Sequence, residues 1–120
     1  DAWNAKMREL LGITPKDNAN GCLQDIHWSM GAFGYFPTYA LGNLYAAQFF
    51  ETASKAIPEL TGQIRKGTFK PLLDWLRENI HRHGQLYRAG ELVQRITGRP
   101  LSIEPFLAYV KAKFSPIYGL

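Results

Sequence analysis

Between Pro37 and about Ile57, Leu41, Leu44, Tyr45, Gln48, Phe49 and Thr52 recur at helical spacing and draw one stripe. Ala40, Ala46, Ala47, Ala53 and Ala56 keep the flanks narrow, so this longest helix is expected to be buried on more than one side. A shorter amphipathic helix precedes it: Trp3, Met7, Leu10 and Leu11 share a face over 2–11, and Gly12 and Pro15 close the run. Downstream, Pro58 opens a short helix to Ile64 or Arg65, ended by Gly67. Thr68 is placed to cap a helix reaching His81 or His83, with Phe69, Leu72, Leu73, Leu76 and Ile80 on one face and Gly84 as its stop. Lys70 with Asp74 and Glu78 with Arg82 form i,i+4 pairs on it. Glu91 to Thr97 reads as another short helix, closed by Gly98 and Pro100. Ser102 caps the last, whose stripe of Ile103, Phe106, Leu107, Val110 and Phe114 is expected to be buried before Pro116 breaks it. No segment alternates with the period of a strand and no repeat is visible, so the chain is all-α.

One stretch follows neither period. From Gly21 to Gln48, irregular in its first half, the chain sets Gln24, Asp25, His27, Trp28, Tyr35, Tyr39 and Asn43 among Gly21, Gly31, Gly34 and Gly42, after a loop of turn formers from Thr14 to Asn20. Irregular backbone that carries hydrogen-bonding and ring side chains is the usual material of a site or its wall. Gly31 and Gly34 permit a tight turn or a close approach of backbone to another group.

Composition narrows the classes. At 120 residues and 46% hydrophobic content, with no apolar run of membrane-spanning length, the chain reads as one soluble domain with no membrane partner. Its opening Asp-Ala-Trp-Asn shows no signal-peptide pattern. A start at Asp1 rather than Met is expected to mark a piece of a longer protein. The single cysteine, Cys22, excludes an internal disulfide and fits a reducing, cytoplasmic setting, where it serves as a small buried hydrophobe rather than a nucleophile. A net charge of +4 has its densest cluster at His81-Arg82-His83, on a helix end where cations suit the dipole, so nucleic acid is not the expected partner.

The chemistry converges on few residues. His27, His81 and His83 are the only histidines, and none stands in an H-E-x-x-H or cysteine-paired pattern, so no complete metal site is expected within the chain. His81 and His83, two apart on a helix, point different ways. Asp25 and His27, two apart in extended backbone, face one side, so the carboxylate can orient the imidazole. That is either half of a catalytic constellation or a polar network that pins the loop. The spacing of Trp28, Phe33, Tyr35, Phe36 and Tyr39 favours core aromatics over a pocket lining.

Gly21-x-x-Gln24-Asp25-x-His27-Trp28, followed by Gly31-x-Phe33-Gly34-Tyr35-Phe36-Pro37-Thr38-Tyr39-x-Leu41-Gly42-Asn43 and Ala46-Ala47-Gln48, resembles the G-x-x-Q-D-x-H-W segment of the thermostable, Taq-type metallocarboxypeptidases. Trp3-Asn4-x-Lys6, Leu11-Gly12-Ile13, Trp75-Leu76, Ile80-His81, Gly84, Tyr87, Glu91-Leu92, Thr97-Gly98, Phe106 and Tyr118 extend the likeness over nearly the whole chain. The resemblance implies that residues 1–120 are a single helical segment, the C-terminal part of a longer, mostly helical peptidase related to the neurolysin type. It implies a homodimeric enzyme that releases single residues from peptides with a free C-terminus, using a divalent metal such as zinc or cobalt.

In that family the metal ligands and the general-base glutamate lie upstream, outside this chain. By resemblance Gln24, Asp25, His27, Trp28, Tyr35 and Tyr39 are the substrate-binding candidates. Tyr35 first, then Tyr39, is the phenol expected to face the developing oxyanion, and His27 is the second candidate for a transition-state or substrate contact. The isolated chain is expected to bind no stoichiometric zinc and to hydrolyse no peptide. The readings from other classes are an autonomous helical binding module and a structural or dimerisation subdomain, the latter favoured if Trp75, Tyr87 and Tyr109 are exposed.

Overall fold

Six α-helices and no strand make up the computed structural model, which describes all residues, 1–120. The chain divides into two compact units, residues 1–36 and 37–120.

In the first unit, α1 (Ala2–Leu11) is the expected short helix. Gly12 closes it in the left-handed conformation (φ 70°), its N–H donating to the Arg8 carbonyl at 3.0 Å. Trp3, Leu10 and Leu11 are nevertheless exposed, and α1 buries no side chain fully. The loop that follows is held by its own polar groups. Asp17 Oδ1 accepts from the Asn20 backbone and side-chain amides, both at 2.8 Å, and the Asn18 carbonyl accepts from the N–H groups of Gly21 and Leu23. Gly21 is buried in this turn because nothing larger fits: an added Cβ would stand 3.0 Å from Pro15 Cβ and 3.2 Å from the Asp17 carbonyl.

The second unit is built on α2 (Pro37–Ala56), against which α3 (Leu60–Arg65), α5 (Ala89–Thr97) and α6 (Glu104–Tyr118) pack. Ala53, Leu60, Val93 and Pro105 are its buried apolar residues. The expectation that α2 is buried on several sides does not hold, since Leu41 and Phe50 are exposed and only Gln48 and Ala53 of this helix are buried. The α6 stripe is likewise corrected, with Ile103, Leu107 and Phe114 exposed and Phe106 and Val110 half-buried.

Gln48 is the one fully buried polar side chain of α2. Its Nε2 donates to Thr97 Oγ1 (2.9 Å) and the Pro100 carbonyl (3.1 Å), and its Oε1 accepts from the Ser102 N–H (2.9 Å). A glutamine has donor and acceptor at one end, so this single side chain satisfies three groups of the α5–α6 link. Beside it Arg99 donates to Glu51 at 2.7 Å, while Lys55 pairs with the same carboxylate at 3.0 Å.

Several helix ends differ from expectation. Helix α3 starts at Leu60 rather than Pro58, because Glu59 before it adopts a left-handed conformation (φ 54°). Phe69, not Thr68, is the N-cap of α4 (Lys70–Asn79), and no side-chain bond caps it; Pro71 in the first turn lacks the N–H that a cap would serve. The run to His83 is completed by a separate 3-10 turn, His81–His83. Both expected i,i+4 pairs, Lys70 with Asp74 and Arg82 with Glu78, are formed. Helix α5 begins two residues early, at Ala89, where Glu91 accepts the Arg88 N–H at 3.1 Å. Ile103 replaces Ser102 as the N-cap of α6, although Ser102 Oγ still accepts the Glu104 N–H at 3.2 Å. Pro116 lies inside α6 instead of ending it. The carbonyl that Pro116 cannot serve lies one turn back, at Ala112, an exposed residue.

No helix is long and apolar enough to cross a membrane.

Candidate functional site

The stretch after Gly21 is a chain of turns that points side chains where regular structure would not. The Gln24 N–H donates to the Gly21 carbonyl at 3.0 Å, and the Gln24 side-chain amide turns back to the Ala19 carbonyl. Next, Asp25 Oδ1 accepts two bonds from the same neighbour: the His27 backbone N–H at 2.8 Å and the His27 ring at Nδ1, 2.5 Å away. The expected geometry, a carboxylate orienting an imidazole two residues on, is therefore present. A carboxylate can only accept, so Nδ1 carries the proton and Nε2 is the acceptor of the neutral ring.

The pair also polarises Asp25. The His27 backbone N–H, then its ring N–H, hold the Asp25 carboxyl below its ordinary pKa of 3.8. Both residues are half-buried.

Rings surround the pair within the first unit. The Phe36 ring stands edge-on to His27 at 5.0 Å, and Tyr35 lies nearly parallel to the imidazole at 5.8 Å. Trp28 contacts the other side of the group, 5.2 Å from Phe36 and 5.6 Å from Phe33. Core placement, favoured by their spacing, is not what the structure has: Trp28, Phe33, Tyr35, Phe36 and Tyr39 are all exposed, Phe33 to 76%. Gly31 and Gly34 shape this loop by turning, since both have positive φ (73° and 74°) and nothing lies within 4 Å of an added Cβ at either. Within this chain no other group approaches the backbone at either glycine.

Of the six substrate-binding candidates, the structure thus gathers Asp25, His27 and Tyr35, with Trp28 joined through Phe36. Gln24 is exposed and spends its side-chain amide on its own loop. Tyr39 lies in the first turn of α2, in the other unit. Phe36 is the contributor missed as a site residue; its signal was its place between Tyr35 and the helix-starting Pro37, which leaves its ring outside any helical stripe.

No group of three or more His, Cys, Asp or Glu side chains is placed to hold a metal ion. Asp25 and His27 are two donors engaged with each other, His81 is exposed on its 3-10 turn, and His83 packs edge-on against Tyr87 at 5.4 Å. The residues present do not fit a catalytic metal, which takes three protein ligands and an open position.

Against known proteins, the profile of the family described as Carboxypeptidase Taq (M32) metallopeptidase matches residues 1–114. Thermostable carboxypeptidase 1 of Thermus thermophilus is 50% identical over 119 residues, which cover 99% of this chain and 23% of that protein. Carboxypeptidase 1 of Bacillus subtilis is 41% identical over 118 residues, 98% of this chain and 24% of that protein. The crystal structure of the M32 carboxypeptidase from Deinococcus radiodurans R1 superposes with a TM-score of 0.85 at 40% identity, covering all of this chain and 24% of that one. The chain spans about a quarter of the length of these relatives and matches their C-terminal part. With a family match running from residue 1 to 114 and an all-helical fold, the chain belongs to the Carboxypeptidase Taq (M32) metallopeptidase family.

Proposed function

We propose that this chain forms part of the substrate cleft of a metal-dependent carboxypeptidase, and that its residues act on the last peptide bond of a substrate with a free C-terminus. The observation that carries the reading is the Asp25–His27 pair, ringed by Tyr35, Phe36 and Trp28 on an irregular loop. Side chains that would be buried in a core are here presented outward, as a recognition surface requires.

Within this reading each residue has a task. Asp25 fixes the tautomer and plane of His27, so that Nε2 meets a polar atom of the substrate in one protonation state. Tyr35 donates its hydroxyl to the oxyanion that develops on the scissile carbonyl, and Tyr39 is the second choice for that bond. Trp28 and Phe36 offer apolar faces to a substrate side chain. The metal supplies an activated water when bound, and because the residues of this chain do not fit it, its ligands belong to the remainder of a longer polypeptide. Zinc or cobalt, a homodimer and a cytoplasmic setting complete the proposal; their support is the family membership and the single free cysteine.

The test is Tyr35→Phe in the family-length enzyme. Loss of one oxyanion donor lowers kcat by about 10²–10³, with KM little changed. An unchanged kcat removes Tyr35 from the mechanism. Asp25→Asn in the same enzyme, which offers Nδ1 the wrong partner, is expected to lower kcat as well.

A second reading, an interaction subdomain without catalysis, is favoured by the exposed apolar surface. Of the three aromatics that would mark it, Tyr109 is exposed, whereas Trp75 and Tyr87 are half-buried. It gains if neither Tyr35→Phe nor Asp25→Asn alters peptide hydrolysis.

A further inference from the structure

The second unit carries a groove that its own helices leave open. Asn43, Ala46, Ala47 and Phe50, at i, i+3, i+4 and i+7, line it from α2, and Phe106 and Tyr109 line it from α6. Its volume is about 390 Å³. Phe50 and Tyr109 are exposed at its walls, and the only polar side chains lining it are the Asn43 amide and the Tyr109 phenol, whose oxygen accepts from Lys113 Nζ at 2.9 Å. Small residues on one wall and aromatic rings on both are the makings of a seat for an apolar helix.

The amount of open surface indicates what fills it. The chain exposes 9351 Å². Two separately compact units of these lengths would expose only about 7,800 Å² together, so roughly 1,500 Å² is in excess of what folded units this size present. One side of a standard interface is about 800 Å², and one side of an obligate interface, which resembles a core cut in half, is about 1,000–2,500 Å²; the excess is of the second kind. The relatives supply the matching half, since about three quarters of their length lies outside the part this chain matches.

We infer that the α2–α6 groove seats an apolar helix from the remainder of a family-length polypeptide, one that sets aliphatic side chains against Ala46, Ala47 and Phe50 and a polar group against Asn43. The inference rests on the chain being part of a longer carboxypeptidase, and it names the place where the two parts join. It makes this groove an internal seam rather than a face for a second copy.

The test compares maleimide labelling of Ala46→Cys, in a Cys22→Ser background, between this 120-residue chain and the family-length polypeptide. Lys111→Cys, on an exposed residue of α6 that does not line the groove, serves as the reference. The expected result is labelling at Ala46→Cys at least 100-fold slower in the long polypeptide than in the short chain, at every protein concentration, while Lys111→Cys labels equally in both. Equal rates at Ala46→Cys overturn the inference. So does protection that appears in the short chain as its concentration rises, which would make a second copy the occupant. Peptidase activity is read separately: protection of Ala46→Cys in an inactive long polypeptide leaves the seam standing and removes the functional reading. An active enzyme with an unprotected groove does the reverse.

Discussion

Gln48→Leu is the substitution expected to do most damage to the second unit without touching the candidate site. The side chain is fully buried and makes three hydrogen bonds, to Thr97 Oγ1, the Pro100 carbonyl and the Ser102 N–H. Leucine keeps most of the volume and removes all three. A typical intramolecular hydrogen bond contributes about 1 kcal/mol net, and a buried partner left unsatisfied costs about 1–3 kcal/mol more. Thr97 is spared that penalty because its hydroxyl still donates to the Val93 carbonyl at 2.8 Å. Pro100 is exposed, so water reaches its carbonyl, and Ser102 is half-buried. The sum is about 3–4 kcal/mol, a large part of the stability of a small unit. Urea unfolding of the chain, followed by far-UV circular dichroism, reads it directly. Gln48→Glu sharpens the test, for a carboxylate keeps the Ser102 bond but turns a second acceptor toward the Pro100 carbonyl. A buried carboxyl has a raised pKa, so the stability lost at pH 7 should return as pH falls through that raised value. A loss below 1 kcal/mol for Gln48→Leu, or a Gln48→Glu variant as stable at pH 7 as at pH 4.5, would refute the idea that this amide fastens the α5–α6 link.

Three further outcomes are expected. Asp25 has a depressed pKa in the folded chain, so the stability it lends the loop is complete above its unfolded value of 3.8 and is lost only as pH falls through the lower folded value. The Asp25 side-chain carboxyl resonance followed by NMR should therefore titrate with a midpoint below 3.8, and a midpoint at or above that value contradicts the pairing. Gly21→Ala forces a Cβ to 3.0 Å from Pro15 and is expected to destabilise the first unit by about 1–3 kcal/mol; unchanged amide-exchange protection at Leu23 and Gln24 would show the turn relaxing freely. The 120-residue chain alone should bind a dye for apolar surface, because Leu41, Phe50, Leu107 and Tyr109 stay exposed. A chain that leaves the dye dark would count against it.

The helices were legible because their signals are local. Gly12 and Gly98 closed α1 and α5 where expected, both in the left-handed conformation that glycine adopts without strain. The Asp25–His27 contact was legible for the same reason, being a matter of two residues and one backbone shape. Errors arose where the outcome depends on a neighbour. Thr68 has the chemistry of a cap, yet Phe69 takes the N-cap position and α4 begins at Lys70, and periodicity does not register that choice. The stripes on α2 and α6 were real, but a stripe tells which face is apolar and not whether this chain holds anything to cover it. The rings of Trp28, Phe33, Tyr35 and Phe36 were misplaced into a core by the same reasoning, which treats aromatic content as burial, whereas on this irregular loop they are exposed. Gln48 sat in a helical stripe as if it were apolar, and only its partners 49 to 54 residues away explain why a glutamine belongs there.

That separation has a consequence in time. During synthesis α2 emerges first, and the groups that satisfy Gln48 follow only after 49 to 54 more residues have been added. At ribosomal rates of roughly 5–20 residues per second, the delay is about 2–11 s, against the microsecond or less that a helix takes to form. For all of that interval the nascent α2 holds a polar amide in the middle of its apolar stripe with only water to bond it. A buried amide of this kind discourages early burial of the stripe against the wrong surface and rewards the right one when Thr97, Pro100 and Ser102 arrive. Replacing it with leucine would then do two things at once: weaken the finished unit, and make the unfinished one stickier while it waits.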